Sequence, residues 1–241
     1  MKLSERQQHI LQAVIQEHLV QGKPVGSQQL VTAGGFDVSS ATMRNEMAEL
    51  EEKGFLTHPH TSAGRIPTEQ GWRYYLDHII EKKELSKKEE SYLQQQVKSS
   101  EPAGPQKVKT LAKALAELSE EAIMIGFAPN DVYYTGLRNL FSKPEFQDFA
   151  VVTQLSEVID HLDEALSRLF LRKEKSQQDV TVLVGQEHPF GADCSVIMTQ
   201  IPVAKGNATG ILGILGPMRQ QYADNIARLD YSRHLLTELF S

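Results

Sequence analysis

The stretch from Asp37 to Tyr75, DVSSATMRNEMAELEEKGFLTHPHTSAGRIPTEQGWRYY, constrains the fold of this chain more than any other. It opens with a small polar pair, Ser39 and Ser40, whose side-chain oxygens can cap a helix N-terminus. Met43, Met47 and Leu50 then recur at spacings of four and three, which predicts a helix with one buried stripe. Arg44 and Asn45 fall off that stripe, near the start of the helix. Gly54 ends it as a C′ residue. A short apolar segment (Phe55, Leu56) follows, then a tip rich in His, Pro, Ser and Gly, then Arg65–Ile66–Pro67, and a new helix opens at Thr68. Helix, strand, glycine-bearing tip, strand, helix is the layout of a winged helix-turn-helix, with the helix from Ser40 to Lys53 as its recognition helix.

The preceding residues fit the same unit. Ser4 and Gln7 have capping-box spacing. Ile10, Leu11, Val14, Ile15 and Leu19 form an amphipathic stripe that ends near Gly22. Lys23–Pro24–Val25–Gly26 reads as a turn, Ser27 as the cap of a short helix carrying Leu30 and Val31, and Gly34–Gly35–Phe36 as the next tight turn. The expected core is Ile10, Leu11, Val14, Leu30, Phe36, Val38, Met43, Met47 and Leu50.

Residues 1–80 are therefore expected to form the winged-helix domain. The polar stretch EKKELSKKEESYLQQQVKSS reads as a solvated connecting helix, or as a short helical oligomerisation seam. Glu101–Pro102–Ala103–Gly104–Pro105 is the strongest break, so 81–105 is the connector and 106–241 a second domain. That half reads as α+β. Helical spacing covers Val108 to Leu118 and Val151 to Lys173, a short helix Leu137 to Phe141, and a terminal helix about Gln220 to Phe240. Strands are expected at Ala122–Phe127, Val180–Val184, Ser195–Ile201 and Thr209–Leu215, with Asp131–Thr135 a strand or turn. Four or five antiparallel strands with helices packed on them give a small sensor-type domain.

Composition narrows the function classes. No run approaches the ~18 apolar residues of a membrane span, and the N-terminus MKLSERQQ has no apolar signal core. The single cysteine, Cys194, gives no internal disulfide and no zinc cluster. A cytoplasmic protein is the simplest expectation. The net charge of −6 opposes bulk nucleic-acid affinity. Even residues 1–80 hold about seven Lys and Arg against nine Asp and Glu. The distribution answers part of that objection: Glu46, Glu49, Glu51 and Glu52 lie past the first turn of the recognition helix, while Arg44 lies near its N-terminal end and Arg65 on the wing.

Signals of catalysis are weak, and no enzyme, cofactor or metal site is expected. His58 and His60 flank Pro59 without a carboxylate or Cys at ligand spacing. The glycines of 185–191 and 206–216 form neither GxGxxG nor GxxxxGK[ST], and turns between strands account for them. Cys194, near His188 and Asp193, reads as a small buried apolar residue. DNA-contact chemistry is better represented. Ser27, Ser39, Ser40 and Thr42 near helix starts can bond phosphates. Arg44 and Asn45 can be bidentate to guanine and adenine edges. Arg65 can reach the minor groove or the flanking backbone, and His60, Thr61 and Ser62 lie on the wing. The plain alternative is that Arg44 is a solvated surface residue and Asn45 merely bonds Glu49 one turn on.

LSERQQHILQAVIQEHLVQGKPVGSQQL and VSSATMRNEMAELEEKGFLTHPHTSAGRIPTEQGWRYYLD closely resemble the N-terminal domain of HrcA, the family of bacterial heat-inducible transcription repressors. The likeness resumes at VYYTGLRNLFSKPEFQD and DVTVLVGQEHPF, and closes at TGILGILGPMRQQYADNIARLDY. The resemblance implies a GAF-like second domain, and repression at an inverted-repeat operator called CIRCE upstream of chaperone operons. It also implies dependence on the chaperonin GroEL, with Ser39 to Asn45 on the recognition helix and His60 to Arg65 on the wing. Family members carry a long extra segment between a helix like TLAKALAELSEEAIMIGFAP and the VYYTGL stretch. Here the two almost abut at Pro129–Asn130–Asp131, so the sheet strands and inserted domain associated with dimerisation are expected to be missing. A homodimer is still expected, held by the α+β domain or by the helix around Glu81 to Ser99. Two other readings stand beside the repressor: a winged-helix regulator sensing a small ligand through its GAF-like half, and an interaction module that no longer binds DNA.

Overall fold

The computed structural model describes residues 3–33, 35–59, 64–99, 104–128, 131–147, 149–161, 164–166, 179–206 and 208–241. The chain divides into two units, Met1–Glu81 and Lys82–Ser241, and its architecture is mixed α and β.

In the first unit the order is α1 (Glu5–Gln21), α2 (Ser27–Ala33), α3 (Ser40–Glu52), β1 (Leu56–Thr57), β2 (Ile66–Pro67) and α4 (Glu69–His78). Helix α1 starts where the sequence says it should: Ser4 accepts from the Gln7 N–H and Gln7 reaches back to the Ser4 N–H. Gly22, at φ 64°, ends it. Its stripe of Ile10, Leu11, Val14 and Ile15 is wholly buried together with Leu30, Met43, Leu50 and Val25. Each such side chain contributes roughly 1.5–3 kcal/mol by leaving water. Phe36 and Val38, expected in the core, are only half-buried, because they lie in the turn that precedes α3 rather than on a packed helix face. Ser27 is the first residue of α2 rather than its cap; Gly26 O accepts the Leu30 N–H instead.

The second unit holds α5 (Lys87–Ser99), α6 (Pro105–Ser119), β3 (Ala122–Ala128), β4 (Asp131–Thr135), α7 (Leu137–Phe141), α8 (Phe149–Asp160), β5 (Val180–Val184), β6 (Cys194–Pro202), β7 (Thr209–Pro217) and α9 (Tyr222–Phe240). The five strands form one antiparallel sheet in the order β4-β3-β7-β6-β5. Alternation sends Met124, Val196, Met198, Ile211 and Leu215 into a core shared with Leu140, Phe146 and Leu155. The residues between them, Ile123, Ile125, Ile197, Leu212 and Ile214, are buried on the opposite face, where α6 lies on β3 and α9 on β6.

Two expectations change here, and the helix expected over Val151–Lys173 is described only in part. The polar segment read as a connector carries α5, which packs on α6 and α9 through the buried Leu93 and Val97, so it belongs to the second unit; residues 100–103 lie outside the described residues. The helix expected over Val151–Lys173 begins at Phe149 and its described span ends at Asp160; Leu162, Leu169 and Phe170 lie outside the described residues. Not all of the glycines of 206–216 are turn glycines. Gly206 is, at φ 95°, but Gly210, Gly213 and Gly216 sit inside β7. A Cβ on Gly210 would stand 2.5 Å from Gly126 O, and one on Gly216 would stand 2.8 Å from Glu121 Oε2.

Candidate nucleic-acid interface

Helix α3 is held at both ends by its own sequence. Ser39 Oγ accepts the Thr42 N–H at 3.1 Å and lies 2.9 Å from Thr42 Oγ1, so both hydroxyls belong to the N-terminal cap. At the other end Gly54, at φ 81°, donates to Glu51 O, and the Phe55 N–H donates to Leu50 O, a Schellman pair closed by the buried Leu50 and Phe55. Met43, Met47 and Leu50 point inward. Ala41, Thr42, Arg44 and Asn45 are exposed, and Ser40 is half-buried. Neither Arg44 nor Asn45 makes a hydrogen bond or ion pair among the described residues. The Asn45–Glu49 bond of the plain alternative is absent, and Glu49 Oε2 instead accepts from Gln7 Nε2 at 3.0 Å.

Acid on α3 is tied down. Glu46 pairs with Arg6 at 3.0 Å. Gln7, only 6% exposed, holds Glu49 through its NH₂ and receives Lys53 Nζ on its carbonyl at 2.9 Å. Glu51 pairs with two side chains of the following hairpin, the His58 imidazole and the Arg65 guanidinium, the latter at 2.7 Å. Three of the four carboxylates that weaken the charge argument are therefore internal anchors. Gln7 had a signal in the sequence, since it lies one turn before Ile10 and Leu11 on the apolar stripe of α1. Glu51 had none.

The hairpin is fixed from three sides. Strands β1 and β2 pair Leu56 with Pro67 and Thr57 with Ile66. Arg65 exchanges both backbone hydrogen bonds with Val25 in the α1–α2 turn, at 2.9 and 2.8 Å. Gly64 permits that approach, because a Cβ there would stand 2.4 Å from the Val25 backbone. Thr68 caps α4 by accepting the Gly71 N–H and donates its hydroxyl to Gly54 O at 2.6 Å. The Gly64–Arg65–Ile66–Pro67–Thr68 run is thus a set of backbone fittings. Arg65, expected to reach the minor groove or the flanking backbone, has its side chain about four-fifths buried on Glu51. His60, Thr61 and Ser62 lie outside the described residues, and Ser27 is half-buried at the start of α2.

Residues 70–226 match the family model described as HrcA protein C terminal domain. The chain belongs to the HrcA family. It is similar to the heat-inducible transcription repressor HrcA of Syntrophobacter fumaroxidans, at 26% identity with 98% of this chain and 97% of that protein covered. The match to the HrcA of Thermomicrobium roseum is 47% identical over 118 residues, 49% of this chain and 34% of the relative. A crystal structure of a hypothetical protein solved at 2.2 Å resolution shares the fold, with a TM-score of 0.75, 22% identity and 99% of each chain covered. The Syntrophobacter alignment spans 341 positions and this chain has 241 residues, so at least 100 of those positions hold no residue of it. Those positions fall within the aligned span.

The diagnostic GPMRQQYADNI stretch of this HrcA chain builds a buried polar chain at the end of the sheet. Gln220, 1% exposed, donates to Ser195 Oγ at 2.6 Å and accepts from Asn225 Nδ2 at 3.0 Å; Arg228 joins Asn225 to Glu89 on α5. Near it, burial pushes the Cys194 thiol up to about 12, and His188 Nε2 lies 3.0 Å from Cys194 O. No helix among the described residues is long and apolar enough to cross a membrane.

Proposed function

We propose that this protein is a sequence-specific DNA-binding repressor of heat-shock chaperone operons. Residues 1–80, within its first unit, act as a winged helix, and its second, GAF-like unit serves regulation. The carrying observation is the outward face of α3, where Arg44 and Asn45 stand exposed and, among the described residues, unpaired in the first turns while neighbouring carboxylates are tied into the unit. Side chains of this type placed near a helix N-terminus suit guanine and adenine edges in the major groove. Ser27, Ser39, Ser40 and Thr42 lie at helix starts suited to phosphate, with His60, Thr61, Ser62 and Arg65 on the wing. The relatives' name, heat-inducible transcription repressor, supports the gene class.

An inverted-repeat operator of the CIRCE type calls for two copies related by a two-fold axis, so the active form is a homodimer in the cytoplasm. The chaperonin GroEL is the partner that the family likeness implies for keeping the repressor active. Fluorescence anisotropy with a labelled inverted-repeat duplex, titrated over salt, tests the proposal together with a footprint. A symmetric protected site and a preference over scrambled duplex of at least about 10³ are expected. Equal affinity for both duplexes counts against it.

A further inference from the structure

Glu51 occupies the last turn of α3 and faces the hairpin rather than solvent. Its two carboxylate oxygens divide between the hairpin's two legs: Oε1 pairs with His58, which follows β1, and Oε2 stands 2.7 Å from Arg65 Nε, just before β2. Arg65 Nε is closed off from water and has no aligned hydrogen-bond acceptor, so the contact is an ion pair, and Glu51 is the carboxylate that answers this cation. A largely shielded guanidinium without its counter-charge is unfavourable and swings toward solvent. On the backbone side Arg65 is stitched to Val25.

From this we propose that Glu51 is a positioning residue that holds the two legs of the hairpin, through His58 and Arg65, to the last turn of α3. The inference rests on the DNA-binding reading above. It gives an acid on this helix a role beside DNA: the carboxylate fixes the Arg65 guanidinium, which would otherwise swing into solvent.

Two predictions of opposite sign separate this role from mere surface charge. A carboxylate that only repels phosphate gives, on Glu51→Gln, tighter binding to every duplex. A positioning carboxylate gives weaker binding to the inverted-repeat operator, by roughly tenfold, while affinity for scrambled duplex stays within about twofold. Hydroxyl-radical protection is then lost at the outer edges of each half-site and kept at the centre. Glu46→Gln, which removes the same charge from the same helix but touches Arg6 and not the hairpin, is the control and leaves the outer protection intact. In an Arg65→Gln background Glu51→Gln costs less than in the wild type, because the shielded guanidinium is gone and only the His58 contact is left to lose. If Glu51→Gln melts below the assay temperature, Glu51→Asp replaces it, keeping the charge and shortening the reach, with the same expected loss at the operator. Unchanged or raised operator affinity in the folded variant overturns the inference. A wild-type protein with no preference for an inverted repeat overturns the DNA-binding reading, and this inference with it.

Discussion

Glu121 and Lys143 meet at 3.0 Å in the second unit, and the carboxylate is only 3% exposed. Burial is the largest influence and pushes the carboxyl up from 4.5 to about 7, against the pull of Lys143; Glu145 raises it further and Arg219 lowers it. The sign follows from proton counting. Between pH 4.5 and about 7 the folded protein keeps a proton that the unfolded chain has released, so stability is full below 4.5 and falls as pH rises toward 7. The loss is on the order of 3 kcal/mol. Glu121→Gln mimics the neutral form, so the wild-type melting temperature is expected to fall against that of the variant between pH 5 and 8. Melting curves that stay parallel across this range refute the assignment.

Gly71 lies in the first turn of α4, where alanine would ordinarily gain about 1 kcal/mol in helix propensity. A Cβ there would stand 2.2 Å from Phe55 O, which also receives the Thr68 N–H. Overpacking against backbone outweighs propensity, so Gly71→Ala is expected to destabilise the protein by roughly 2 kcal/mol. A urea midpoint that rises instead shows that the contact relaxes freely.

Gln220→Met keeps the bulk of the side chain and removes its amide. Asn225 Nδ2 loses its acceptor and Ser195 O a donor, both in buried surroundings. The expected cost is about 2 kcal/mol, read from chemical denaturation. A neutral result indicates that water or a rotated Asn225 takes over.

Arg44→Ala is expected to leave the melting temperature unchanged, since the side chain is exposed and partnerless among the described residues. Operator affinity is expected to drop by roughly 1–3 kcal/mol, with the preference relaxed at one base position. A uniform loss across all duplexes assigns Arg44 to phosphate instead.

Helix α3 was legible because three local signals agree: the Met43–Met47–Leu50 period, the cap at Ser39 and the stop at Gly54. Strands β5, β6 and β7 were legible as apolar runs between turn residues. Helix α5 was misplaced because its burial rests on two residues, Leu93 and Val97, in an otherwise polar segment. The pairing of Arg65 with Glu51 joins positions fourteen apart through a turn and a hairpin, and no period in the sequence reports such a contact. Glu121 gave no cue either: an acid before an apolar run looks like a solvated strand end, and only the close approach of Gly216 shows that it lies inside.

Strands β3 and β4 stay paired up to Ala128 and Asp131, so the chain leaves the sheet and re-enters it at facing positions. An excursion between those two points need not disturb the sheet, whatever its length, provided that its ends return together. Closing a longer flexible loop adds only about 0.6 kcal/mol per doubling. That junction is therefore a natural port for grafting: a compact reporter domain with neighbouring termini could be spliced there, leaving the strand order and the polar chain around Gln220 as they are.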